Sequence, residues 1–233
     1  MPTPQFVSTL SGLLHRSLVV LALTVLVMAG WGMRGALAWE ESRLMSQMAS
    51  LYGEPGVGRL KAWLSMLRAQ TGLAPQQQTE AVNEFWNQYL LGGDDRDIWK
   101  DADYWATVLE SLGKGAGDCE DYVIAKYFSL LHLGVPEEKL RFIYVRARIG
   151  GIGSTQSIAH MVLGYYETPQ SEPMVMDNLV NRILPASQRN DLTPVFSFNA
   201  QGIYVAGAQP SSVSRISRWQ GLMEKMKKEG FLP

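Results

Sequence analysis

The sequence is poor in cysteine, in histidine and in net charge: one Cys, three His, and 21 Lys and Arg against 22 Asp and Glu in 233 residues, a net charge of -1. One cysteine excludes an internal disulfide framework and any zinc site built on several thiolates. Three histidines leave little room for a poly-histidine metal centre. The charge balance argues against a nucleic-acid binder, which needs a basic face, so no nucleic-acid partner is expected. Repeats and low-complexity tracts are missing as well. With 46% hydrophobic and 18% charged residues, the chain has the material for a packed core and is not a disordered polymer. Its length suits one ordinary domain, or one domain with a helical appendage.

Long apolar runs are also scarce, and the one that stands out, Leu18–Gly30, lies near the N-terminus. Nothing before it is acidic, His15 and Arg16 flank it, and Ala36-Leu37-Ala38 follows just ahead of Trp39-Glu40-Glu41. Basic flank, short apolar segment and small-x-small motif make the layout of a secretory signal over residues 1–38. The run falls short of the ~20 apolar residues of a spanning helix, although Trp31–Met33 extends it and an uncleaved anchor is the alternative. Cleavage after Ala38 removes Arg16 and Arg34 but no acid, leaving a more acidic mature chain from 39 to 233. The expectation is an exported protein, periplasmic where the source has two membranes. In oxidising surroundings an unpaired thiol is either well buried or needed.

Residues 40–92 read as a helical subdomain. Leu44, Met48 and Leu51 form a first stripe, broken by Gly53-Glu54-Pro55-Gly56. Leu60, Trp63, Leu64 and Leu67 form a second, ending at Gly72. Val82, Phe85, Trp86, Tyr89 and Leu90 form a third, ending at Gly92-Gly93. Residues 94–117 read as irregular, first acidic and aromatic, then glycine-rich over Gly113–Gly117. A helix begins near Asp118, with Val123, Tyr127, Leu130 and Leu131 inward, and stops at Gly134. Beyond Pro136 the period changes: Arg141–Arg148, Ser157–Glu167, Met174–Leu179 and Gly202–Gly207 are strand-like. A last amphipathic helix starts at Ser212 with Ile216, Trp219, Leu222 and Met226 inward. Helices first and an antiparallel sheet afterwards make an α+β fold.

The cysteine sits in Gly117-Asp118-Cys119-Glu120-Asp121, at the start of that central helix. Free N–H groups and the positive end of the helix dipole favour thiolate there, and glycines ahead of it allow close approach of a substrate. The competing reading is a small buried residue at a helix start. A base would have to be His160, since His15 is in the signal and His132 lies near the far end of the cysteine's own helix. Alone, His160 reads as a satisfied core histidine. However, a simple hairpin turning over Thr168–Pro173 brings Asp177 close to opposite it, allowing for a bulge, and a cysteine–histidine–aspartate arrangement becomes the better reading.

Several segments together resemble the bacterial transglutaminase-like cysteine proteinases of the LapG type. They are Tyr104-Trp105-Ala106-Thr107, Gly115-Ala116-Gly117-Asp118-Cys119-Glu120-Asp121-Tyr122, Ala159-His160-Met161-Val162-Leu163 and Met176-Asp177-Asn178-Leu179. Pro185-Ala186-Ser187-Gln188-Arg189 and Leu192-Thr193-Pro194 match as well. The likeness runs from about Trp99 to about Tyr204; Val108 departs from the proline the family tends to have after Ala-Thr. The resemblance implies a papain/transglutaminase-like fold with the nucleophile on a helix N-terminus packed against an antiparallel sheet. It makes Cys119 the nucleophile, His160 the general base and acid, and Asp177 the residue orienting the imidazole. It further implies a periplasmic endopeptidase that cuts a large surface adhesin near its N-terminus, releasing it and promoting biofilm dispersal. Its regulator would be an inner-membrane cyclic-di-GMP receptor. A transglutaminase-type acyltransferase would use the same triad, and a non-catalytic exported binding module would merely bury Cys119.

Asp118, Glu120 and Asp121 crowd the thiol and oppose its ionisation. They read either as ordinary acids of a helix start, with Asp118 as cap, or as hard oxygen ligands for Ca²⁺. No EF-hand spacing is present. The family resemblance includes calcium dependence at this motif and favours the second reading. Asp101 and Asp103 are further possible ligands, and Trp105 is either core or a wall of the substrate channel.

Overall fold

The computed structural model describes residues 41–151, 153–205, 207 and 209–231; the signal segment 1–38 lies outside the described residues. Helix α1 spans Glu41–Gln70 and bends at Gly53, whose φ of 63° and ψ of -163° belong to glycine. Helical turns resume at once, with Pro55 just past the bend. Leu44 and Met48 are buried but Leu51 is 67% exposed, because the bend turns the first stripe outward after Met48 and Val57 takes up the packing. The second stripe is buried throughout, and α2 (Pro75–Tyr89) buries Val82, Phe85 and Trp86 while Tyr89 stays 39% exposed. No helix among the described residues is long and apolar enough to cross a membrane.

The segment read as irregular is more ordered than that. After the short parallel strand β1 (Leu91–Gly92) come α3 (Asp95–Ile98) and α4 (Val108–Lys114). Thr107 and Glu110 form a reciprocal capping box at the start of α4, and Gly115 ends it in the left-handed region at φ 66°. Helix α4 packs on α1 so closely that a Cβ at Gly113 would lie 2.4–2.5 Å from carbons of the Tyr52 ring. Gly113→Ala is therefore expected to lower the stability of the chain by about 1–3 kcal/mol, read as a shifted urea midpoint at constant slope.

Strand β2 (Ala116–Gly117) pairs in parallel with β1 and leads straight into α5 (Cys119–His132), where Asp118 is the N-cap and Gly134 follows in the left-handed region. The remaining strands form one antiparallel sheet in the order β6-β5-β4-β3-β7-β8. They are β3 (Leu140–Arg148), β4 (Ser157–Tyr165), β5 (Met174–Met176), β6 (Leu184–Pro185), β7 (Leu192–Asn199) and β8 (Gly202–Tyr204). Strand β7 was not expected, since Pro194 lies within it and proline cannot donate to a ladder. A register shift between Tyr144 and Val145 accommodates it: Pro194 faces Val145, Phe196 faces Tyr144, and Val195 is the extra residue. Helix α5 packs on β4, and its Tyr127 and Phe128 meet Phe142, Phe198 and Trp219 in an aromatic core. The last helix, α6 (Ser217–Glu229), supplies Trp219, Leu222 and Met226 to it; Ile216 sits just ahead of α6, partly buried.

Candidate active site

Cys119 is the first residue of α5. The chain reaches it through the left-handed turn at Gly115 and the two residues of β2. Gly117 is required there: a Cβ would lie 2.7 Å from Asp121 Cβ and 2.9 Å from its Oδ2. The Asp118 carboxylate accepts from the N–H groups of Glu120 (3.1 Å) and Asp121 (3.3 Å), closing the helix start. Cys119 is half-buried, and the backbone N–H of Met161, the residue after His160 on β4, favours its thiolate. The thiol hydrogen points to Glu120 Oε2 at 2.7 Å rather than to the imidazole. Burial, then Glu120 and Asp118, push the thiol well above the ordinary cysteine range, so the helix dipole alone does not set its ionisation.

His160 and Asp177 are both buried and meet at 2.8 Å through Nε2 and Oδ1. The register differs from a simple hairpin reading. Leu163 pairs with Met176, which sets Asp177 beside Val162 just past the end of β5, so acid and imidazole meet diagonally. Burial opposes ionisation of Asp177, but bonds from His160, the Leu179 N–H and Arg189 outweigh it and hold the carboxyl at about 2. Arg189 is a residue that the sequence reading quoted without a role. Only 4% exposed, it donates from Nη2 to Asp177 Oδ2 (2.7 Å) and from Nε and Nη2 to Asp191 (2.9 and 2.7 Å). Lys126, fully buried two turns along α5 from Cys119, carries no mark in the sequence pattern at all. Burial brings its ammonium down to about 7, while the Asp177 charge works the other way.

The acids regroup. Carboxylate oxygens of Asp95, Asp118 and Asp121 lie within 4.8 Å of one another, whereas Glu120 groups with Asp118 and Cys119. Asp95 comes from α3, brought alongside by the β1–β2 pairing. Its Oδ2 accepts the Tyr104 N–H at 2.5 Å, and its buried Oδ1 has no partner among the described residues. Asp121 accepts from the Ala106 N–H (2.8 Å) and from Trp99 Nε1 (3.3 Å). Burial first, and mutual repulsion with Glu120 and each other second, push Asp118 to about 9; burial and Asp95 push Asp121 to about 7. No cationic side chain among the described residues is paired with any of the three. Three crowded, oxygen-only donors with an orphaned oxygen fit a hard divalent cation. Asp103 is engaged elsewhere, in an ion pair with Arg218 at 2.7 Å. Trp105 is core, stacked on Phe198 with centroids 6.0 Å apart.

Residues 65–191 match the family described as bacterial transglutaminase-like cysteine proteinase (BTLCP). Among solved structures, LapG from Legionella pneumophila is 36% identical, with 80% of this chain and 97% of that one covered and a TM-score of 0.69. The same organism's LapG after EGTA treatment gives 35% identity, the same coverage and a TM-score of 0.70. Its calcium-bound form gives 36% identity, 80% and 99% coverage and a TM-score of 0.68. No curated protein sequence matches the chain. A cysteine at the head of the central helix, a sheet carrying a buried His–Asp pair, and these likenesses over most of the chain agree: the protein belongs to the bacterial transglutaminase-like cysteine proteinases.

Proposed function

We propose that the protein is a calcium-dependent, exported cysteine endopeptidase with Cys119, His160 and Asp177 as its triad. The observation that carries this reading is the placement of the only cysteine at the start of α5, the helix packed on β4, which carries His160 with its ring clamped by Asp177. With Nε2 held by Asp177, Nδ1 is the nitrogen left to serve the thiol. His160 takes the Cys119 proton, and the sulfur attacks a backbone carbonyl, forming an S–C bond. His160 then returns the proton to the leaving amine as the C–N bond breaks. Water, deprotonated by His160, releases the acid and restores the thiol. The Cys119 N–H at the helix start is a donor for the oxyanion.

Asp95, Asp118 and Asp121 would hold the calcium ion, with Glu120 the fourth carboxylate at hand. Bound there, calcium would supply the positive charge that these groups lack beside the nucleophile. The substrate is a large surface adhesin cut near its N-terminus, the location is the periplasm reached through residues 1–38, and the regulator is an inner-membrane cyclic-di-GMP receptor. Calcium-bound LapG as a relative, the leader-like N-terminus and the family resemblance support this.

The test incubates the chain from Trp39 with calcium and adhesin N-terminal fragments, and weighs the products. Two fragments that gain one water between them establish an endopeptidase; a product carrying an added amine makes it an acyltransferase instead.

Arg189 keeps Asp177 ionised and fixed, so its loss should be felt at the imidazole. Arg189→Met is expected to lower kcat by about 10–100-fold with little change in KM, whereas Asp191→Asn, which removes only the outer partner, costs about threefold or less. Steady-state kinetics on both variants check the order.

A further inference from the structure

Strand β1 lies beside the segment that leads into the nucleophile, and one of its edges has no role in the site described above. In a parallel pair, successive residues turn their N–H and C=O groups to opposite edges. The Leu91 N–H donates to Gly115 O (3.0 Å) and the Gly93 N–H to Gly117 O (3.1 Å), in the register Leu91 to Ala116 and Gly92 to Gly117. Both groups of Gly92 therefore point away from β2. The sheet has two strands only, and among the described residues no backbone group pairs with that outer edge. Bare strand edges are normally blocked by bulk or charge. This one is open: Gly92 is exposed, a Cβ there would meet nothing within 4 Å, and Leu91 beside it is 75% exposed.

The helix that leads into this edge also holds a second loop. Asn87, near the end of α2, donates to Asp177 O (2.8 Å) and to Asn181 Oδ1 (2.9 Å), and Asn83 donates to Asn181 O (2.8 Å). These bonds moor the loop after Asp177 to the helix that runs into β1. That loop carries Leu179, 54% exposed. The open edge therefore lies close to Cys119 along the chain pairing, with Gly92 aligned to a residue two before the nucleophile.

We propose that the outer edge of Leu91–Gly92 is the docking strand for the substrate main chain. The occupant is an extended peptide segment, added as a third strand. Its N–H and C=O pair with those of Gly92, and its apolar side chains rest on Leu91 and Leu179. With strands ~4.8 Å apart and ~3.3 Å of rise per residue, the residue opposite Gly92 lies about two or three positions from the scissile carbonyl. The enzyme would then read backbone extension and accessibility more than side-chain identity at that position. This rests on Cys119 being the nucleophile.

The test uses acetyl-Ala, acetyl-Leu-Ala, acetyl-Leu-Leu-Ala and acetyl-Leu-Leu-Leu-Ala chloromethyl ketones in calcium buffer, with the rate of Cys119 alkylation followed by intact mass. Each rate is divided by that for iodoacetamide, which makes no strand. The ratio should rise at least tenfold when the peptide first reaches Gly92. It should fall back by a similar factor when that one residue is N-methylated, and not when its neighbour is. Gly92→Pro should remove the same gain, and the N-methyl compound should then react equally with both proteins; its arm on the unaltered chain stands even if the proline variant does not fold. A ratio insensitive to length or to N-methylation overturns the docking strand. Failure of iodoacetamide to reach Cys119 overturns the nucleophile instead.

Discussion

Cys119→Ala removes cleavage by at least about 10⁴-fold while leaving the fold intact. The expectation separates an enzyme from an exported module that merely buries a thiol. The sulfur is half-buried, and its hydrogen bond runs to the adjacent Glu120 carboxylate. Trimming it to a methyl removes little packing and leaves the Glu120 carboxylate no worse placed than before. The urea midpoint of the variant should therefore match the parent within about 0.5 kcal/mol. A buried structural cysteine would give the reverse pattern, lost stability with activity following it. Mass spectrometry of the parent after iodoacetamide supplies the second arm: one adduct at Cys119, with cleavage lost in proportion to labelling. Cleavage that survives either treatment removes the cysteine from the mechanism.

What could be read from residues alone follows the range of the interactions. The head of α5 was legible because its signals are local: an Asp cap, acids in the first turn and glycines just before. The His160–Asp177 pairing was legible as a spacing across one hairpin, but not its register, because the last residues of the pair run beyond β5 and are fixed instead by Arg189, Leu179 and Asn87. Helix α4 carried a local signal, Thr107 and Glu110 at capping-box spacing, although it is too short to show a period. Strand β7 was hidden by Pro194, tolerated only through a bulge that depends on its partner. Asp95 could not be tied to Asp118 and Asp121 from sequence, since the β1–β2 pairing that joins them is two residues long. The orientation of Glu120 toward the thiol is likewise a property of packed side chains.

Removing divalent cation with a chelator should abolish cleavage, readdition of calcium should restore it, and stability should record the same event with a definite pH dependence. Burial and the neighbouring carboxylates push Asp118 to about 9 and Asp121 to about 7 in the folded chain, far above the ordinary aspartate range. The folded state thus holds protons that the unfolded chain has released. For groups raised in this way the metal-free fold is favoured most below about pH 4, and it loses stability steadily as pH rises toward the folded values. A cation replaces those protons as the source of positive charge, and it competes with them below pH 7. At a hundredfold excess over its dissociation constant, calcium should raise Tm by about 5–10 °C at pH 8 and by clearly less at pH 5. Asp95→Asn should weaken calcium binding at least about tenfold, because it removes charge from the trio, while Asp101→Asn should leave it unchanged. Cleavage at full rate by thoroughly demetallated protein, or a calcium stabilisation that grows toward low pH, would mean that these carboxylates are only the acids of a helix start.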